Sequence, residues 1–376
     1  MYYKATERLA ELYPLLQDEK SQRIFWSRIK CDIYPDIKNI ADLYADGFDL
    51  SDDERLHHKM LGQRVEEIHA EGKKLLLYGT GGCGMNITGI LERSNIPFDG
   101  YCGRRAKLIR EIKGKPVYTP EYLFAHADEF YVIIAAEVAY DEILGILKEN
   151  HFPDERILPY LGNGFKEKYF EFSSFYRPNT AFVDAGCFNG ADSLYFSQWS
   201  NGQYSKIFAF EPDSKNYEIC KTTIESNGIA NVELLPYGLS DQCGTALFQQ
   251  NSSATSHIYV SSEKNQDLTE DVEKRKGTLV ELQLATLDSI VGDTVVGFIK
   301  MDIEGSEYDA LHGAEKILKR DKPLCSICVY HIPGDLPSIM DYLHTIVPEY
   351  RFWLRHHTAN AAETILYAAV EPENSK

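Results

Sequence analysis

The chain has 376 residues, 44% of them hydrophobic and 26% charged, an ordinary globular composition with length enough for two or three domains. Its formal net charge of -18 excludes a partner held mainly by phosphate contacts, since nucleic-acid binding needs a basic stripe. No apolar stretch approaches the ~20 residues that span a bilayer, and no basic-then-apolar leader opens the chain, so a cytoplasmic protein is expected.

Residues 1–72 read as a helical N-terminal segment. Apolar side chains recur at helical spacing in Leu9-Leu12-Tyr13-Leu16 and in Leu56-Met60-Leu61-Val65-Ile68. Pro14 kinks or breaks the first of these, and Ser51 or Asp52 caps the second. No chemistry is evident here.

Residues 73–165 read as a small Rossmann-like α/β domain. Strand-like Leu75–Tyr78 runs into Gly79-Thr80-Gly81-Gly82-Cys83-Gly84 and then into a helical stretch, with further strands at Phe98–Cys102, Tyr131–Ala136 and Arg156–Leu158. The glycine loop fits the dinucleotide fingerprint, but the acid that should hold a ribose is missing: the second strand ends in Arg104-Arg105, and Asp99 lies inside it. A tight strand–helix turn in a scaffolding domain is the preferred reading, with a bound nucleotide or NAD-linked redox chemistry as the alternatives. The stretch Gly114-Lys115-Pro116-Val117 and the apolar run Val132–Ala136 resemble the small Rossmann-like domains attached to sugar-modifying enzymes.

Residues 166–376 hold a second βα series. Leu161–Asn179 reads as a linker. Strands follow at Ala181–Asp184, Ile207–Phe210, Val232–Leu235, Val296–Asp302 and Leu324–Tyr330, and a closing hairpin pairs Tyr350–Leu354 with Thr364–Val370. Gly244–Ala285 is an insertion with a small hairpin and a cap. The predicted fold is thus doubly wound, with a C-terminal antiparallel hairpin.

The strand ends carry the chemistry, because open parallel sheets bind ligands at the carboxyl ends of their strands. Asp184 ends the first strand, and Gly186, Asn189 and Gly190 form the loop after it. Glu211-Pro212 ends the second, where a carboxylate can accept from both ribose hydroxyls. Gly238-Leu239 follows the third and can line an adenine. Asp302 and Glu304 follow the fourth.

On these residues the domain resembles FkbM-type methyltransferases. The resemblance runs from Ala181 to about Val370 and is strongest in Thr286-Leu287-Asp288-Ser289, Phe298–Glu307 and Leu311-His312-Gly313-Ala314. It is supported by Gly238–Asp241, Tyr330-His331, Arg355-His356-His357 and Glu363–Tyr367, while Cys187 and Phe188 depart from the family pattern of Ala and Asn. The resemblance implies S-adenosylmethionine as methyl donor and a hydroxyl of a sugar, glycan precursor or natural product as acceptor. That places the protein in polysaccharide biosynthesis or a related route.

Methyl transfer to oxygen needs the acceptor placed in line and a route for its proton. Asp302 is expected to orient or deprotonate the hydroxyl, with His331 as the competing base and Glu304 beside them. The three could hold a divalent cation, but no metal is expected, since such carboxylates are more often solvated or capping. His356-His357 is placed at the hairpin turn, and Ser256-His257 over the acceptor. Cys325 and Cys328 have metal spacing but lie in a strand on opposite faces, so they read as core thiols. The rival readings are an NAD-linked sugar oxidoreductase and a scaffold that binds cofactor without turnover. Acceptor identity and oligomeric state, a homo-oligomer included, are left open.

Overall fold

The computed structural model describes residues 8–47, 52–136, 139–158, 168–250, 257–259, 278–358 and 361–371. The chain divides into two compact units, one formed by Met1–Asp46, Lys166–His356 and Ala361–Lys376, the other by Gly47–Phe165 and His357–Asn360. The N-terminal helices are therefore shared between two units rather than forming a segment of their own.

In the smaller unit the helix Asp52–Ala70 precedes β1 (Lys74–Tyr78). The strands β2 (Gly100–Cys102), β3 (Glu111–Ile112), β4 (Lys115–Tyr118), β5 (Phe130–Ile134) and β6 (Ile157–Leu158) complete a sheet of order β3-β4-β2-β1-β5-β6. All neighbours are parallel except the β3–β4 hairpin. Leu75 and Leu77 pack into one apolar layer and Leu76 and Tyr78 into the other, the period of two that buries both faces of a parallel strand. Val65 and Ile68 of the helix join the first layer, which is why this helix belongs here.

The larger unit is built on β7 (Ala181–Ala185), β8 (Lys206–Phe210) and β9 (Val232–Leu235). After them come the short β10 (Gly238–Leu239) and the inserted strands β11 (Gly244–Gln250), β12 (His257–Tyr259) and β13 (Thr278–Ala285). The chain ends with β14 (Val296–Met301), β15 (Leu324–Cys328), β16 (Arg351–His356) and β17 (Thr364–Ala369). The main sheet has the order β16-β17-β15-β14-β7-β8-β9, parallel from β15 to β9 and closed at one edge by the antiparallel pair β16–β17. This is the doubly wound α/β architecture expected. The insertion forms its own sheet, β10-β13-β11-β12, in which Thr245–Phe248 pairs antiparallel with Val280–Gln283.

Side chains alternate between two cores along the main strands. Val183, Ile299, Cys325 and Ile327 face one, while Phe182, Phe298, Leu324 and Cys328 face the other, an aromatic-rich layer with Phe170, Phe196 and Trp199. Cys325 and Cys328 are thus buried thiols on opposite faces. The helix Glu19–Ile33 lies on the first core with Ile24 and Phe25, each fully buried side chain contributing about 1.5–3 kcal/mol. Asp18 caps it by accepting from Ser21 N at 2.7 Å, and Pro14 sits in a 3-10 turn where the preceding helix stops. Ser21 Oγ accepts from Leu354 N at 2.8 Å, tying the helix to β16. This burial against the edge strand explains why residues 8–46 fold with the main sheet and not with residues 52–70.

Among the described residues no helix is long and apolar enough to cross a membrane.

Candidate active site

Because β7, β8, β14 and β15 run parallel, their carboxyl ends meet along one edge of the sheet. The loop after β7 packs directly on the end of β14. Gly186 has φ +78°, and a Cβ there would lie 2.0 Å from the Asp302 carbonyl oxygen, so only glycine fits. Asp184 is wholly buried and already partnered: it accepts from Ser193 Oγ at 2.7 Å and from Lys300 Nζ at 3.0 Å. Lys300 Nζ also reaches the Gly186 carbonyl at 2.7 Å and Asp192 at 3.1 Å. Burial opposes the Lys300 charge, but Asp184, Asp192 and Asp302 outweigh it and hold the ammonium protonated. Asp184 therefore shapes the loop from beneath. Asn189 turns the chain by accepting from Ala191 N at 3.1 Å, and Gly190, at φ +79°, precedes the helix Ala191–Trp199.

At the end of β8, Glu211 is buried and accepts from Asp213 N at 2.8 Å and from Phe188 N of the first loop. Burial pushes its carboxyl up to about 7. Pro212 follows, and Asp213 caps the helix Ser214–Ser226 by accepting from Lys215 N at 2.9 Å and Asn216 N at 3.3 Å. Gly238 and Leu239 are buried in β10. A buried carboxylate at this strand end, beside a loop that side chains cannot crowd, is a donor set that suits a ribose diol, and the acidic edge suits a sulfonium cation.

The ends of β14 and β15 carry a dense polar group. Asp302 accepts from Tyr169 hydroxyl through Oδ2 at 2.6 Å and from Tyr330 hydroxyl through Oδ1 at 3.3 Å. Lys168 Nζ stands 3.6 Å from Oδ2 and pairs with Glu363, whose carboxylate also accepts from Tyr330 at 3.4 Å. Burial would raise the Asp302 carboxyl, but Lys168, Lys300, His331 and the Tyr169 hydroxyl hold it well below the usual carboxylate range. So held, Asp302 stays ionised, a state that suits orienting a hydroxyl more than taking its proton.

His331 follows β15, with Nε2 at 3.3 Å from Asp302 and 3.8 Å from Glu304, and Nδ1 at 2.8 Å from Glu307. Burial works against its charge, yet Glu307, Asp302 and Glu304 push it up to about 9. Glu307 is fully buried and also accepts from Ile303 N and Gly305 N at 2.8 and 2.9 Å. Glu304, between those residues, is held at φ +57°, and burial pushes its carboxyl up to about 7.

The structure thus brings Asp302, Glu304 and His331 together and adds Lys168, Tyr169, Glu307, Tyr330 and Glu363 around them. Lys168 and Tyr169 lay in a stretch read as linker and carry no local signal. His356 is not at the turn: it ends β16, buried, with Nδ1 at 2.9 Å from Thr364 Oγ1. Ser256 lies outside the described residues, and His257 starts β12. In the smaller unit Asp99 bonds to His69 Nε2 and Leu75 N, both at 2.8 Å, so it is a structural acid. A Cβ on Gly79 would meet the Ala135 carbonyl at 2.2 Å, and one on Gly84 the Gly79 carbonyl at 2.2 Å, so packing accounts for two glycines of that loop.

A parallel sheet in this order, with an acid ending β8 and a glycine loop folded onto the end of β14, is the architecture of S-adenosylmethionine-dependent methyltransferases. Residues 184–357 match the model of the Methyltransferase FkbM domain. The protein is a methyltransferase. Among solved structures the chain is similar to Methyltransferase FkbM from Methylobacillus flagellatus KT, at 17% identity over 88% of this chain and 98% of that one, with a TM-score of 0.42. It is also similar to an rRNA methylase from Streptococcus thermophilus, at 15% identity over 56% and 94% of the two chains, TM-score 0.33. An O-methyltransferase from Bacillus cereus in complex with SAH gives 13% identity over 67% and 96%, TM-score 0.30. No curated protein matches the chain.

Proposed function

We propose that the protein is an O-methyltransferase that methylates a hydroxyl of a sugar, glycan precursor or related natural product. The observation that carries the reading is the group Asp302, Glu304 and His331, assembled on the same sheet edge as Glu211. S-adenosylmethionine, when bound, supplies the methyl on its sulfonium. Glu211 accepts from the ribose hydroxyls, while Asp184, Lys300 and Asp192 keep the Gly186 loop in place from below. Gly190, Pro212, Gly238 and Leu239 line the rest of the donor side.

On the acceptor side Asp302 positions the hydroxyl, because its charge is fixed by Lys168 and Tyr169. Glu304 receives the hydroxyl proton, since burial raises its proton affinity above that of an exposed carboxylate. His331 stabilises the charge that develops between the two carboxylates. Positioning is the larger part of the work, because the reactive group belongs to the donor.

A methyl-labelled donor incubated with a pool of glycan acceptors tests this, read as a mass shift of one methyl per acceptor. The assignment of residues is lost if Asp302→Asn and His331→Ala both keep full transfer with unchanged donor affinity. Binding of NAD in place of S-adenosylmethionine in the same titration would move the chemistry to the smaller unit.

A further inference from the structure

The Nε2 atom of His331 is buried and, among the described residues, makes no hydrogen bond, in a side chain only 7% exposed. It is aimed at two carboxylates, 3.3 Å from Asp302 Oδ1 and 3.8 Å from Glu304 Oε2, and one ligand atom from each of the three lies within 4.8 Å of the others. Adjacent ligands of an octahedral divalent cation, each ~2.1 Å from the ion, stand about 3 Å apart, and opposite ones about 4 Å. The two distances from His331 Nε2 to the carboxylates fall in that range.

A second, independent feature is the partner of the other ring nitrogen. Nδ1 of His331 faces the fully buried Glu307 at 2.8 Å, the carboxylate–histidine arrangement that orients a metal-bound imidazole and leaves Nε2 as the ligand atom. The same Glu307 accepts from Ile303 N and Gly305 N and so holds Glu304 in its left-handed conformation, where its carboxylate faces the imidazole. Asp302 Oδ2 is taken by Tyr169 and Lys168, and Oδ1, shared with the Tyr330 hydroxyl, is the oxygen turned to His331.

We propose that Asp302, Glu304 and His331 bind one divalent cation of the first transition row, Mn2+ being the best match to two carboxylates and one imidazole. The proposal rests on the acceptor hydroxyl meeting this group. A cation facing that hydroxyl lowers the cost of removing its proton. The O–H bond breaks with its proton passing to the second carboxylate oxygen of Glu304, an O–CH3 bond forms, and the sulfonium S–CH3 bond breaks to leave a neutral thioether. No oxidant or reductant is needed.

The test is a Mn2+ titration of the full chain purified through a chelator, followed by electron paramagnetic resonance. About one ion per chain is expected, with affinity falling at least tenfold in Glu304→Gln and in His331→Gln, and roughly 10–100-fold in Glu307→Gln. The unmutated chain should also unfold at higher temperature with Mn2+ present, a readout that needs no variant to fold. No binding at millimolar Mn2+, or binding indifferent to all three substitutions, overturns the site. Transfer undiminished by chelator in a chain that binds no Mn2+ overturns the cation and leaves the methyl-transfer reading intact. Mn2+ bound as described, with no hydroxyl of the pool methylated, upholds the cation and removes the proposed acceptor.

Discussion

Asp32 Oδ2 accepts the backbone N–H of Gly334 at 3.3 Å, so a side chain of the first long helix is bonded three residues beyond His331. Arg28, one turn earlier, donates through Nε to Asp32 Oδ1 at 2.8 Å and through Nη1 to the Ala361 carbonyl at 2.5 Å. The pair is buried, with side chains 5% and 7% exposed. One helix therefore holds both the loop that carries His331 and the loop that leads to Glu363. Arg28→Ala leaves Asp32 buried without its cation and should cost about 3–5 kcal/mol. A urea midpoint measures it, and transfer by the folded variant should fall more in kcat than in donor affinity, since Glu211 is untouched.

Lys300 gives a sharper case. Among the described residues Lys300 is the cation paired with the buried Asp184 carboxylate, so Lys300→Met is expected to cost about 3–5 kcal/mol. Adding Asp184→Asn should recover a large part of it, because the uncompensated charge goes with it. A double-mutant cycle by denaturant unfolding reads the coupling. Additive losses would mean that the two side chains act separately.

Gly186 and Gly202 have similar positive φ, +78° and +69°, but different surroundings. Alanine at either position meets the cost of the left-handed backbone, about 1–2 kcal/mol. Only at Gly186 does the new Cβ collide with a backbone carbonyl. Gly186→Ala should therefore lower donor affinity at least tenfold in calorimetric titration, while Gly202→Ala leaves it unchanged.

Glu211 predicts a pH dependence of donor binding. Its folded carboxyl lies at about 7, so it accepts from two hydroxyls only once ionised, above that pH. Affinity should rise as pH passes upward through about 7, and the slope should vanish in Glu211→Gln. The same shift acts on the free protein with the opposite sign. A carboxyl raised on folding favours the folded state at low pH, and this contribution is lost as pH rises from the unfolded value, near 4.5, through 7. Donor-free Glu211→Gln should accordingly lose less stability than the unmutated chain between pH 6 and pH 8, measured by thermal unfolding.

Much of the molecule was legible without coordinates. The strands β7, β8, β9, β14 and β15 and the β16–β17 hairpin follow from short apolar runs bounded by turns and helices, and the arms of the insertion from alternation, patterns carried by neighbours in sequence. Parallel strands place their carboxyl ends together, so Glu211 and Asp302 could be set on one edge from their positions alone. That is why the carboxylates proposed for the donor side and for the acceptor side could be placed on one edge before the fold was known.

What the sequence could not determine is the state of those groups. Asp302 owes its fixed charge to Lys168 and Tyr169, more than 130 positions away. The burial of Asp184 beneath its loop depends on Lys300, His356 is buried through β17, and the first helices join the larger unit because Ile24 and Phe25 find its exposed edge. None of these leaves a periodic trace. The sequence by itself determined which chemistry lines the sheet edge, because local pattern sets strand and loop. Only the tertiary structure decided which carboxylate is held ionised and which can take a proton, because charge in a protein depends on burial and on partners brought from afar.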